Sequence, residues 1–243
     1  MLKRGVDLHR AVLNKFAEFV RGPILDAGAG TGELAVKLAA MGYEVSACDC
    51  LPESHWPHGG KIEYRPCDMN VGLPYTDETF DYVLCLEVIE HLENPLAFCR
   101  EVKRVLRMGG RAIISTPNIL NMRSRVKFLL DGSFLFFNFP PIEWEQQTEE
   151  PYGYNVHVHP IRYHELEYYL YKAGLQTEMV FTNLRSYSWR LLFPLELLIR
   201  LYSQHMIRRS HRNGRIPLDR IYAQILTEDV MFGTHLIVSA RKP

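Results

Sequence analysis

The sequence predicts an α/β fold, a mostly parallel sheet with helices on both faces, and three observations carry that expectation. Short apolar runs alternate with helix-period stretches through the first half of the chain. A glycine cluster, Gly28, Gly30 and Gly32, follows directly on the first of those runs. The chain of 243 residues, 47% hydrophobic and 12% aromatic, is long and apolar enough to bury one large core.

The elements read in order as follows. Pro23–Ala27 is a buried strand leading into the glycine cluster. A helix follows with Leu34, Leu38 and Met41 on one side, closed by Gly42. Tyr43–Asp49 is the second strand, Lys61–Arg65 a weaker third and Phe80–Leu86 a strong fourth. Asn94 and Pro95 supply the cap and first residue of a helix running through Phe98, Val102, Val105 and Leu106 to Gly109-Gly110. Arg111–Ser115 is the fifth strand, Asn121–Leu130 a basic helix and Arg162–Ala173 a further helix with Gly174 past its end. Leu175–Thr182 and His235–Arg241 are two closing strands. Residues 1–243 read as a single domain, with insertions at about 119–160 and 185–220.

Charge and cysteine usage exclude several classes. Lysine plus arginine number 28 and aspartate plus glutamate 28, so no chain-wide field draws the protein onto nucleic acid or anionic lipid. Five cysteines without a CxxC pair argue against a disulfide framework or a zinc ribbon, and fit reduced thiols in a cytoplasmic protein. The start, MLKRGVDLHRAVLNKF, has no uninterrupted apolar run after its basic residues, so no secretory signal is expected. Leu191–Ile199 is interrupted by Pro194 and Glu196 and is too short to cross a bilayer. The neutral total hides one imbalance: Arg185 to Arg220 carries eight arginines against Glu196 and Asp219, while Pro141–Glu150 holds four glutamates and no base.

The chemistry begins at Asp26-Ala-Gly28-Ala-Gly30-Thr-Gly32. Glycines there let backbone approach a ligand, and the helix start behind them offers free N–H groups. A dinucleotide fingerprint, GxGxxG, would need glycine at position 33, where Glu33 stands. The spacing is GxGxG instead, with Asp26 two residues before it, a carboxylate that repels a pyrophosphate and suits a cationic ligand. No GxxxxGK[ST] element occurs, which disfavours nucleoside triphosphate chemistry. Asp49 closes strand two, where a carboxylate can accept both hydroxyls of a ribose. Asp68 follows strand three, suited to an exocyclic adenine amine, with Met69 against the ring. Together the three acids describe a pocket for an adenosine that carries positive charge.

With the glycine loop, Asp49, Cys67-Asp68-Met69, the segment TFDYVLCLEVIEHLENP and the strand GGRAIISTPN, the sequence resembles the class I S-adenosylmethionine-dependent methyltransferases over roughly residues 20–180 and the terminal strand. The resemblance implies a Rossmann-like, seven-stranded, mostly parallel sheet with an antiparallel last strand. It implies S-adenosyl-L-methionine as cofactor, held by Asp26, Gly28, Ala29, Gly30, Gly32, Asp49, Cys50, Asp68, Met69 and Leu86.

Beyond strand four, Glu87 and Glu90 share a side if the chain turns helically, with His91 adjacent. His157 and His159 precede the Arg162 helix. Two carboxylates with imidazoles are a plausible divalent site, so Glu87, Glu90, His91 and His157 are candidate ligands for Mg²⁺, Mn²⁺ or Zn²⁺, with His159 the alternative to His157. EVIEHL with a later histidine is similar to small-RNA 3′-terminal 2′-O-methyltransferases and ubiquinone-pathway O-methyltransferases. Similar segments occur without a metal, where Glu87 supports cofactor contacts and His91 is the general base. The catalytic candidates are therefore His91, Glu90 and Asn118, the last after strand five where it could orient an acceptor hydroxyl; its bland reading is a turn residue.

On the acceptor side, Asn121–Leu130 loosely resembles a segment of methyltransferases of cell-surface polysaccharide and glycolipid synthesis. Phe134, Phe136, Phe137 and Phe139 could roof the pocket or be core. The 185–220 insertion suits a lid or interface first, a peripheral membrane contact second and RNA third. O-methylation of a small-molecule, sugar or lipid-linked acceptor is the favoured function. An RNA ribose 2′-O-methyltransferase and a cofactor-binding protein without catalysis are the alternatives. The oligomeric state is left open.

Overall fold

The computed structural model describes residues 2–16, 19–137, 157–186, 193–212 and 218–243. The expected acidic segment Pro141–Glu150, Phe139 and the start of the basic insertion at 187–192 lie outside them.

Seven strands form one sheet: β1 (Pro23–Ala27), β2 (Glu44–Asp49), β3 (Glu63–Pro66), β4 (Phe80–Leu86), β5 (Leu106–Pro117), β6 (Gln176–Phe181) and β7 (His235–Arg241). Their order is β3-β2-β1-β4-β5-β7-β6. All pairs are parallel except those of β7, which runs antiparallel between β5 and β6. The strand order reverses between β1 and β4, and it is outside the carboxyl ends of strands at such a point that open α/β sheets bind ligands.

Helices cover both faces. On one, α1 (Leu2–Phe16) and α2 (Glu33–Ala40) bury Leu8, Val12, Phe16, Leu34 and Leu38 against Ile24, Leu84 and Ile113. Leu8, Val12 and Phe16 stand four apart, one stripe of a helix. On the other, α3 (Pro95–Val105) and α5 (Tyr163–Ala173) bury Phe98, Val102, Leu166 and Leu170 against Leu25, Val83 and Ile114. Asn94 caps α3, its side chain accepting from the Ala97 N–H at 3.0 Å, a contact worth about 1 kcal/mol. After β5 comes α4 (Met122–Asp131), capped by Asn121 and ended at Gly132, and between β6 and β7 lie α6 (Phe193–Arg212), α7 (Asp219–Ile225) and α8 (Glu228–Phe232).

One boundary differs from expectation. The helix from Asn94 ends at Val105, and Leu106 is already extended and paired with Phe80. Gly109 and Gly110 therefore sit inside β5 rather than at a helix end; the register shifts between Phe80 and Tyr82, and Gly109 takes φ +78°. Strand pairing overrides the helical spacing of Val102, Val105 and Leu106, whose side chains remain buried either way.

The basic insertion is largely helical. Pro194 falls in the first turn of α6, where the missing N–H breaks no helical bond. Leu195 and Ile199 pack on Met122, Met231 and Phe232, while Phe193, Leu197, Leu198, Leu201 and Tyr202 face outward and exposed. No described helix is long and apolar enough to cross a membrane.

Candidate active site

The glycine loop is built against the ends of β2 and β4. The Gly28 and Ala29 N–H groups donate to the Cys48 carbonyl at 2.8 and 3.2 Å, and the Gly30 N–H donates to Asp49 Oδ2 at 2.8 Å. Gly28 has φ +87°, and a Cβ there would stand 2.1 Å from Val88 Cγ2, so only glycine fits. Gly30 also lies in the left-handed region, at φ +52°, but a Cβ on it would meet nothing within 4 Å. The loop is thus packed tight behind Gly28 and open in front of Gly30, which is the shape a close-lying ligand requires.

The three acids take different roles. Asp26 is buried at the end of β1, with Oδ2 lacking a hydrogen-bond partner. Burial, and then the charge of Asp49, push its carboxyl up to about 7. Asp49 also accepts from the Leu51 N–H at 3.1 Å and the Cys50 thiol at 3.3 Å through Oδ1, so β2's end is held rigidly beside the loop. Asp68 is exposed and accepts from the Asn70 N–H at 2.9 Å. Met69 beside it is 6% exposed and packed in the core. Leu86 is half-buried at the end of β4. Trp56 stacks on Tyr64, ring centroids 4.5 Å apart, and its indole stands where a Cβ on Gly32 would fall; nothing in the spacing of 53–61 pointed to this wall.

At the end of β4 the four expected metal-ligand candidates separate into two groups. Glu87 adopts φ +57°, rare for a residue with a side chain. Its Oε1 accepts from the Ser115 hydroxyl at 2.8 Å and its Oε2 meets His235 Nε2 at 3.1 Å. His235, 6% exposed, contacts Asn183 Oδ1 through Nδ1 at 3.0 Å and stacks on Phe136. Glu87 is therefore engaged with Ser115 and His235, and the structure does not bring it to the other three.

Those three converge. Glu90, His91 and His157 each offer an atom within 4.8 Å of the others. A single 3₁₀ turn, Ile89–His91, carries the first two, and the Glu90 carbonyl accepts from the Val158 and His159 N–H groups at 3.1 and 3.0 Å. That pairing draws the later segment in and leaves the His91 and His157 rings 4.7 Å apart. His157, rather than His159, belongs to this group. Glu90 is fully buried, and neither carboxylate oxygen has a well-formed hydrogen bond among the described residues. Burial, then the Glu87 charge, raise its pKa well above the ordinary carboxylate value. Burial lowers that of His157, leaving the ring neutral with a lone pair to offer. One unpartnered carboxylate and two imidazoles fit a divalent cation in donor type.

Asn118 stands apart from both groups. It is 2% exposed; its Nδ2 donates to the Val230 and Gly233 carbonyls at 2.8 and 3.0 Å, and its Oδ1 accepts from the Leu120 N–H at 3.0 Å. Both amide hydrogens are spent on backbone, which ties β5 to the α8–β7 turn and leaves none to orient an acceptor.

Comparison with known proteins bears on the same segment. Residues 25–114 match a family model described as a methyltransferase domain. A ubiquinone biosynthesis O-methyltransferase of Rickettsia conorii is 38% identical over 102 residues, 39% of this chain and 35% of that protein. The chain thus spans about a third of that relative's length. Among solved structures, a SAM-dependent methyltransferase of Archaeoglobus fulgidus has a TM-score of 0.59 at 15% identity, covering 98% of this chain and 94% of that one. The 1,6-didemethyltoxoflavin-N1-methyltransferase of Burkholderia thailandensis, solved with that substrate and S-adenosylhomocysteine, has a TM-score of 0.55 at 15% identity, covering 97% of this chain and 78% of the other. At such identities the solved structures share the fold.

Proposed function

Since this chain belongs to the class I S-adenosylmethionine-dependent methyltransferases by its fold and its domain at 25–114, we propose that it methylates a hydroxyl of a small acceptor at the carboxyl ends of β1, β4 and β5. The observation that carries this reading is the convergence of a glycine loop, open at Gly30 beside Asp49, and the Glu90–His91–His157 group on one rim of the sheet. The relatives named for ubiquinone biosynthesis favour oxygen as the methylated atom.

The cofactor supplies a methyl group already activated on a sulfonium. Asp49 and the Gly30 amide hold its ribose side, and the buried Asp26, at about 7, ionises when a positive charge arrives next to it. The protein's remaining work is alignment of the acceptor oxygen and removal of its proton. An imidazole nitrogen of His91 takes that proton, with Glu90 and His157 fixing the ring's surroundings. In the finer reading Glu90, His91 and His157 would instead hold Mg²⁺, Mn²⁺ or Zn²⁺, which would supply Lewis acidity toward the acceptor hydroxyl, and His91 would then be a ligand rather than the base. The described parts of the segments at about 119–160 and 185–220, chiefly α4 and α6, are read as acceptor-side insertions in one domain. The outward face of α6, with its apolar start and Arg208, Arg209 and Arg212 at its end, suits contact with an anionic membrane surface.

Label transfer from S-adenosylmethionine to a panel of hydroxylated acceptors, with and without chelator, tests the reading. Transfer that falls by more than about tenfold in His91→Ala supports it; transfer confined to amines or carbons, or undiminished in that variant, contradicts it.

A further inference from the structure

A groove of about 610 Å³ opens where the last turns of α3 and α5 meet the loop before β4 and the end of β7. It lies at the opposite end of the sheet from the glycine loop: Glu78 stands just before β4 and Lys242 just after the antiparallel β7, whereas the loop follows β1. Five cations line it, Arg100, Lys103, Arg104, Lys172 and Lys242, against two carboxylates, Asp77 and Glu78.

Both carboxylates are already engaged. Asp77 pairs with Arg104 at 2.9 Å and Glu78 with Lys242 at 3.0 Å. Arg104 also donates to Glu101 and to the Leu73 and Tyr75 carbonyls, so its fork is spent within the protein. The side chains of Arg100, Lys103 and Lys172 form no ion pair or hydrogen bond among the described residues. The two helix ends beside them supply about half a negative charge each, so about two positive charges stay uncompensated.

Lys242 sets this groove apart from a solvated basic surface. Its side chain is 5% exposed, and Nζ donates to Glu78 Oε1 at 3.0 Å and to the Leu106 carbonyl at 2.7 Å. An ammonium has three donors, and the third has no partner among the described residues. A buried charged donor left unfilled is costly, so a ligand oxygen that meets it is favoured. Glu78, which holds this ammonium, takes φ +53°, a backbone conformation that a residue with a side chain keeps only where its surroundings impose it.

We propose that this groove binds a chain of two or three phosphoryl groups, free or borne on a nucleotide. One phosphoryl oxygen accepts the third Lys242 N–H, and Arg100, Lys103 and Lys172 take the outer oxygens. Phosphoryl groups place roughly one to two negative charges each on adjoining atoms. Acidic side chains on one face of an extended peptide stand about 7 Å apart, a spacing less suited to cations gathered in one groove.

Calorimetric titration of the whole chain with inorganic triphosphate, orthophosphate, ATP and hexaglutamate, in metal-free buffer, tests this. Triphosphate is expected to bind at one site per chain, at least about tenfold more tightly than orthophosphate. ATP binding as tightly as triphosphate assigns the site to nucleotide-borne phosphates, and weaker ATP binding assigns it to the free anion; either supports the groove. Arg100→Gln/Lys103→Gln/Lys172→Gln should weaken triphosphate by at least about tenfold with the melting temperature little changed, while Arg208→Gln/Arg209→Gln, exposed cations on α6, should leave it within about twofold. Glu78→Gln/Lys242→Met conserves net charge and removes the buried pair together, so a general attraction would be unmoved by it, whereas the proposed site should lose at least about fivefold. Equal binding of triphosphate and orthophosphate, tighter binding of hexaglutamate, an equal loss in the α6 variant, or full affinity in Glu78→Gln/Lys242→Met overturns the proposal.

Discussion

Replacing Asp26 by asparagine should have an effect on stability that becomes more favourable as pH rises. The carboxyl moves from its ordinary 3.8 to about 7 because it is buried and faces Asp49, so between those values the folded chain keeps a proton that the unfolded chain has lost. Stability must then fall as pH rises through that window and level off above it. At about 1.4 kcal/mol per pH unit the full effect is roughly 4 kcal/mol, of which about 2.5 kcal/mol falls between pH 5 and pH 8. The asparagine variant lacks this term but leaves an amide nitrogen where Oδ2 now has no partner, a pH-independent loss of about 1–3 kcal/mol. Urea unfolding of both proteins at pH 5 and pH 8 isolates the titration, because the amide loss cancels between the two conditions. The expected result is an Asp26→Asn variant that gains about 2.5 kcal/mol relative to the parent on going from pH 5 to pH 8. A difference that stays constant to within about 0.5 kcal/mol would refute the reasoning that Asp26 is a buried, electrostatically opposed acid.

Other expectations follow from the same geometry. Gly28→Ala puts a Cβ 2.1 Å from Val88 Cγ2 at φ +87°, so it should lower the melting temperature and abolish S-adenosylhomocysteine binding. Gly30→Ala, where a Cβ meets open space, should cost only the left-handed strain of about 1–2 kcal/mol yet still weaken binding in calorimetry. Asn118→Ala removes three hydrogen bonds to backbone and should destabilise the fold by about 2–4 kcal/mol in urea unfolding, with S-adenosylhomocysteine affinity in the surviving folded protein little changed. Mn²⁺ affinity should rise with pH as the raised Glu90 carboxyl ionises, and should be lost in His157→Ala; affinity flat in pH or intact in that variant would count against this group as a cation site.

The sheet and its glycine loop were legible because their signals are local. Strand β1, the glycines and α2 are contiguous, and Asp49 announces itself by ending an apolar run. Helix α1 was not read from the sequence, although Leu8, Val12 and Phe16 stand four apart, because no cap or glycine marks its bounds. The α3–β5 junction misled because the spacing of Val102, Val105 and Leu106 satisfies a helix as well as a strand end, and only pairing with Phe80 decides it. The acceptor side depends on contacts between distant segments. His157 reaches His91 because the Glu90 carbonyl binds the 158–159 amides, and Glu87 leaves that group because His235, far along the chain, claims its carboxylate. Nothing in the spacing of EVIEH distinguishes Glu87 from Glu90. Asn118 stands where an acceptor-orienting residue could stand, and only the carbonyls of Val230 and Gly233 reveal its structural use.

The most direct test is calorimetric titration with S-adenosylhomocysteine, with and without divalent cation, of the parent chain and of Asp49→Ala. Asp49 holds the Gly30 amide at 2.8 Å and is the residue to which the proposed function gives the ribose. Saturable binding at one site per chain, weakened by at least about tenfold in Asp49→Ala, is the expected result. No binding to the parent chain, or equal affinity in both proteins, would contradict the assignment of the glycine loop and β2 end as the methyl-donor pocket.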